Sequence, residues 1–237
     1  MKKTIGRYLA VIVLGAVMLM GCEGREKESG KVVYEVQKLE KRQEEMEEYL
    51  RQKYGDISYE VMGVVWKFWN QVYDQMNFQV EREGRKETCW VRRYEKEGRA
   101  WFMDSYFGLC IREEYEKKME QTAKIFFPEA KVISFMQETG FSETVRIGDG
   151  LEDARKKGEE IRVISWLFVA EVTEEELENR TVQFCDAWQK EKMESLISIF
   201  LIEKDMFVGL DRDRAEEIVR EKKYQAQCVC HAKPAIS

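Results

Sequence analysis

The sequence predicts an α+β domain, a mostly antiparallel sheet with helices packed on one face, preceded by a long N-terminal amphipathic helix. Three observations carry this. Short aromatic and β-branched segments follow one another between residues 57 and 95. From residue 112 onward, helical apolar stripes alternate with compact apolar runs. Hydrophobic residues make up 44% and aromatics 12% of the chain, which suits a packed core and excludes disorder.

The N-terminal helix is read from Lys31 to Tyr54. Val32, Val36, Leu39, Gln43, Met46 and Leu50 recur at spacings of 4, 3, 4, 3 and 4, and Gly55 stops the pattern. A coiled-coil stalk would give such a seam. The Gln in it, its short length and the extra apolar residues Val33, Tyr34 and Tyr49 favour an amphipathic helix laid on its own domain. Residues 57–66, 76–82 and 88–95 then read as a β-meander, with Glu83-Gly84 as a hairpin signal. Residues 101–111 read as a further extended segment.

Tyr115, Met119, Thr122 and Phe126 stripe a helix that Pro128 ends, and 131–136 follows as a strand. Gly148-Asp149-Gly150 opens a short helix closed by Gly158, and 161–169 (IRVISWLFV) reads as a buried strand. Thr173-x-x-Glu176 is a capping box for a helix with Leu177, Thr181, Phe184, Cys185 and Trp188 on its inner side. The run 196–202 is another apolar strand, Asp211 caps a helix, and 224–230 is the last strand. The domain spans 55–237, with two halves expected at 55–137 and 150–232. Segments 112–136 and 173–202 share a helix-then-strand order, at too low an identity for a duplication.

The first residues form three blocks. Lys2, Lys3 and Arg7 are a positive start, Tyr8 to Met20 is a 13-residue apolar stretch, and Leu19-Met20-Gly21-Cys22 closes it. At 1.5 Å per residue the apolar stretch covers roughly 20 Å, short of the ~30 Å hydrocarbon core. It reads as a signal peptide, residues 1–21. Small Gly21 before Cys22 and aliphatic Leu19 resemble the lipobox of bacterial lipoproteins. That resemblance implies diacylglyceryl transfer to Cys22 Sγ, cleavage before Cys22, and an extracytoplasmic domain held at the cell membrane by lipid. Residues 22–30 are polar and end in Gly, which reads as a short flexible tether. Asp104, Tyr106 and Phe107 after a hairpin, with a helix near Tyr115-Glu116, resemble uncharacterised lipoproteins of Gram-positive bacteria. This second resemblance implies placement and no activity.

Formal charge is −6, and it becomes −9 once the three positive charges of Lys2, Lys3 and Arg7 are removed. Such a chain is, by net charge, a poor partner for nucleic acid or for anionic lipid headgroups. Beside Cys22 there are five cysteines, Cys89, Cys110, Cys185, Cys228 and Cys230, an odd number without a scaffold spacing. One or two bridges are compatible with an oxidising compartment, and buried free thiols are the expectation. His231 is the one histidine, and in a strand it faces away from Cys228 and Cys230, so Cys-x-Cys-His does not read as a metal site. Nucleotide, zinc-protease, serine-hydrolase and EF-hand motifs are absent, and no cofactor is implied. Among 45 acidic residues no catalytic pair stands out.

The remaining signal is an aromatic cluster, Trp66, Phe68, Trp69, Tyr73, Phe78, Trp90, Tyr94, Trp101, Phe102, Tyr106 and Phe107, which reads mainly as core under the sheet with an exposed remainder. Trp66, Phe68 and Trp69 alternate in side and cannot all be buried by one helical layer, which makes them the expected binding surface. The pattern favours a non-enzymatic domain that binds a protein or cell-envelope ligand. An envelope hydrolase with paired carboxylates and a structural subunit docking through the 31–54 helix are the alternatives.

Overall fold

The computed structural model describes residues 25–67, 70–82, 84–136 and 138–233, with side chains from Val36 onward. Leu19, Gly21 and Cys22 lie outside the described residues, as do Phe68 and Trp69. The architecture is α+β, with mostly antiparallel strands.

Helix α1 runs Arg25–Tyr54, so it begins inside the stretch assigned above to the tether. Glu, Arg and Lys are good helix formers, and one interior glycine costs about 1 kcal/mol, too little to stop a helix of 30 residues. From Glu45 onward the chain forms one compact unit, in which Met46, Tyr49, Leu50 and Tyr54 of α1 join the core.

The first sheet has the order β1-β2-β3-β4-β6, all antiparallel: β1 (Tyr59–Val65), β2 (Tyr73–Arg82), β3 (Arg85–Lys96), β4 (Arg99–Asp104) and β6 (Phe141–Ser142). Arg82 pairs with Arg85 across the expected tight hairpin, where Gly84 sits at φ +74°. Alternation is strict on β2: Asp74, Met76, Phe78 and Val80 are buried, while Tyr73, Gln75, Asn77 and Gln79 are not.

The extended reading of 101–111 is corrected after Asp104, because α2 spans Tyr106–Ala123. Phe107, Gly108, Leu109, Ile111 and Arg112 are all buried, so the first turns have no polar stripe to reveal a helical period. Gly108 is needed there, since a Cβ would stand 2.9 Å from Met136 Cβ.

The second sheet has the order β5-β7-β8-β9: β5 (Glu129–Phe135), β7 (Arg162–Ala170), β8 (Glu194–Leu201) and β9 (Ala226–Ala232). Its β7–β8 pair is parallel and is connected through α4 (Glu174–Gln189); its other pairs are antiparallel. The short α3 (Leu151–Lys156) precedes β7. Thr173 Oγ1 accepts from Glu176 N, and after the one-turn α5 (Lys204–Phe207) Asp211 Oδ1 caps α6 (Arg212–Arg220) through Arg214 N, as the sequence indicates. The expected halves interleave: β5 falls in the first half by sequence but pairs with β7, and β6 returns to the first sheet.

One continuous core lies between α1, the first sheet, α2, α4 and the second sheet. A second cluster on the other side of the second sheet joins Ile133, Phe168 and Phe200 to Leu210, Ala215 and Ile218, so α6 adds a helical layer there. The expectation of free thiols is corrected at one pair: Cys185 on α4 and Cys230 on β9 form a disulfide with Cα atoms 6.0 Å apart. Cysteine spacing has no bearing on this pair, because only the packing of α4 on β9 brings them together. Cys89, Cys110 and Cys228 are free.

Candidate functional site

The faces of the first sheet differ in chemistry because alternation sorts its side chains. The inner side is pinned by Asp104, which is fully buried at the end of β4. Its carboxylate accepts from Tyr49 Oη (2.7 Å), Lys53 Nζ (2.7 Å), Tyr54 Oη (2.7 Å) and Phe107 N (3.1 Å). Lys53 also donates to the Ser142 carbonyl at 2.7 Å. Burial, reinforced by the charge on Asp104, holds both tyrosine hydroxyls far above their ordinary range. The charges are fully partnered, so this network fastens the end of α1 to β4 and starts α2.

The outer side carries a different set. The register places Tyr73, Tyr94 and Trp101 in one row across β2, β3 and β4. Tyr73 and Tyr94 meet edge to face at 5.4 Å between ring centres, and Tyr94 and Trp101 stack at 5.4 Å. Trp101 remains 42% exposed. In the next row Arg92 lies beside Gln75, to which its Nε donates at 2.8 Å, and Gln75 Nε2 donates to Asn77 Oδ1 at 2.8 Å. The Arg92 guanidinium also sits 3.9 Å from the Trp90 ring centre and 4.6 Å from that of Tyr73. Trp90 is buried beneath it, and Gly140 closes over that indole, where a Cβ would come within 2.7 Å. The result is a fixed strip of rings, one cation and side-chain amides, able to stack on a ligand and to hydrogen-bond with it.

Of the three expected surface residues, Phe68 and Trp69 lie outside the described residues. Trp66 follows the parity of inward-facing Val64 and packs, half-buried, against the core. Among the described residues, Tyr73, Arg92, Tyr94 and Trp101 form the strip. Tyr73, Tyr94 and Trp101 belong to the aromatic cluster visible in the sequence, but their common side depends on the register of three strands.

A cleft of about 420 Å³ opens between the end of β2, α2, β5 and the start of α6. Arg82, Arg112, Lys131 and Arg212 line it together with Glu113, Glu116 and Asp211. Burial lifts the Glu116 carboxyl above its ordinary value despite bonds from Ser134 and the nearby Arg212. Glu116 Oε1 accepts from Ser134 N at 2.7 Å and Ser134 Oγ at 2.8 Å, and Arg212 lies at 3.2 Å. Buried Glu87 is bound to Arg112 at 2.6 Å. Both acids are therefore engaged in bracing β3, α2, β5 and α6, which is poor preparation for paired-carboxylate hydrolysis. Burial also pushes the Cys89 thiol up to about 12 and raises that of Cys110, which suits packing and not nucleophilic attack.

Among the described residues, no group of three His, Cys, Asp or Glu side chains converges to hold a metal ion. His231 is exposed on β9 while Cys230 is buried. No helix of the described residues is long and apolar enough to cross a membrane. No family model, curated protein or solved structure matches this chain.

Proposed function

We propose that this chain is a lipid-anchored extracytoplasmic protein whose α+β domain binds a protein or cell-envelope ligand without catalysing a reaction. The observation that carries the binding reading is the strip Tyr73–Tyr94–Trp101 beside Arg92 and Gln75, on the side of the first sheet away from the core. Aromatic rings with an arginine are the residue types that dominate recognition surfaces. The anchor rests on the sequence block ending at Leu19, Gly21 and Cys22. The Cys185–Cys230 disulfide supports an oxidising compartment. Signal cleavage before Cys22 leaves the domain outside the membrane and joined to it by lipid alone.

Two measurements test the parts separately. Cys22→Ala should move the protein from the membrane to the soluble or precursor fraction, and an unchanged membrane level rejects the anchor. Crosslinking on intact cells, followed by mass spectrometry, should identify a partner that Trp101→Ala and Arg92→Gln lose at unchanged protein level. An identical crosslink profile in both variants rejects the strip as the binding surface.

A further inference from the structure

We propose that the arginine-lined cleft at α2, β5 and α6 binds a phosphate-type oxyanion, independently of the aromatic strip. In a chain of net charge −6, four cations from separate elements converge on one cavity: Arg82 from β2, Arg112 from α2, Lys131 from β5 and Arg212 from α6. Its volume of about 420 Å³ suits a small molecule.

Hydrogen-bond capacity gives the sign of the ligand. Each arginine has five N–H donors and each lysine three. Arg112 gives one terminal nitrogen to Glu87 at 2.6 Å. Arg212 uses one terminal nitrogen for Glu116 at 3.2 Å and the Ser134 carbonyl at 3.0 Å. Arg82 donates to the Leu109 carbonyl, and the nearest carboxylate bridging Lys131 is Glu120 at 3.5 Å.

The acids facing the cleft are mostly occupied by the protein's own donors. Glu116 is held by Ser134 and Arg212, and one Asp211 oxygen receives Arg214 N at 2.9 Å as the α6 cap. Glu113 stands exposed on the rim. The N–H groups of Arg112, Lys131 and Arg212 thus outnumber the partners these side chains hold, and the ligand that matches is an acceptor without donors of its own at that end. Cations approach from four elements. A tetrahedral phosphate can take several guanidinium forks at once, whereas one fork suffices for a planar carboxylate.

The test uses the full-length lipoprotein in neutral detergent, titrated with inorganic phosphate and with glycerol phosphate while amide resonances are followed. In parallel, the protein is mixed with phosphatidylglycerol vesicles, and with phosphatidylcholine vesicles as the control. Saturable shifts confined to α2, β5 and α6 are expected, weakened by about tenfold in Lys131→Gln and Arg212→Gln, which corresponds to about 1.4 kcal/mol. Lys131→Gln guards against misfolding, because that side chain is 44% exposed. Saturation by a soluble probe identifies a free phosphate or its ester as the source. Binding to phosphatidylglycerol vesicles alone, lost in the same variants, identifies a lipid headgroup. The proposal is overturned by the absence of saturable binding in every arm, or by binding that both variants leave unchanged.

Discussion

The two sheets of this domain share one core yet differ in how their outer faces are finished. On the second sheet, Ile133, Phe168 and Phe200 are sealed beneath Leu210, Ala215 and Ile218, although Ile164 and Leu196 further along the same side stay 44% and 43% exposed. The outer side of the first sheet instead alternates rings with Gln75, Asn77, Gln79 and Arg92, which tolerate water. A strand buried on both sides must be apolar throughout, and β7 nearly is. One buried on a single side keeps every second position for other chemistry. The outer side of the first sheet is therefore free to carry a binding surface, whereas at the sealed positions of the second sheet substitutions act mainly on stability.

The largest effects should come from the sealed positions of both sheets. Phe168 is fully buried, stacked on Phe200 at 5.3 Å, and Phe168→Ala should lower unfolding stability in urea by about 3–5 kcal/mol. Asp104→Ala should have a comparable effect, about 3–5 kcal/mol, because it strands Lys53, whose side chain is only 3% exposed. Adding Lys53→Met to Asp104→Ala should recover part of that loss. If the double variant is no more stable than the single one, the charge network is not what fastens α1 to the first sheet.

Cys185→Ala tests the side of the second sheet that faces the core. A bridge closing 45 residues constrains the unfolded chain by about 4 kcal/mol in the loop-entropy account, so a loss of about 2–4 kcal/mol is expected. Reductant should lower the melting temperature of the parent and leave the variant unchanged. A parent insensitive to reductant would remove the bridge from the comparison.

Much of this contrast can be read before folding is considered. The run at 161–169 announces a buried strand because it has almost no polar breaks, and Thr173-x-x-Glu176 and Asp211 announce their helices through local capping chemistry. What escapes sequence is whatever depends on register or on a distant partner. The aromatic cluster is visible, yet only the pairing Tyr73–Tyr94–Trp101 places three of its rings on one side, while Trp66 turns inward. The start of α2 hides because its first turns are buried nearly all round. The four-cation cleft draws on β2, α2, β5 and α6, so no sequence window contains it.

At the joint between the sheets, Glu116 predicts a pH effect of smaller size. Burial raises its carboxyl above the ordinary 4.5, so the folded state favours the protonated form. Its contribution to stability is complete below the ordinary value and is lost as pH rises through the raised one. Glu116→Gln does not ionise, so its stability relative to the parent should improve across that interval. Urea titrations of both proteins on either side of the interval measure the difference. A constant difference would mean that Ser134 and Arg212 offset the burial of the charge.

The smallest effect on stability belongs to the open face, and its smallness is the point of the comparison. Trp101 is an aromatic on an outer side, as Phe168 is, but it is 42% exposed and its recorded ring partner is Tyr94. Trp101→Ala should lower stability by about 1 kcal/mol or less, the worth of one aromatic pair and some partial burial. Over the same substitution, the crosslinked partner should be lost at unchanged protein level. A loss comparable to that of Phe168→Ala would make Trp101 part of the packing and erase the distinction between the two outer faces. A stable variant that keeps its partner would leave the distinction in burial intact and take the ligand away from this strip. Stability without binding is the outcome that supports both the open face and its ligand, because an exposed ring of little benefit to the fold is then accounted for by what it touches outside the chain.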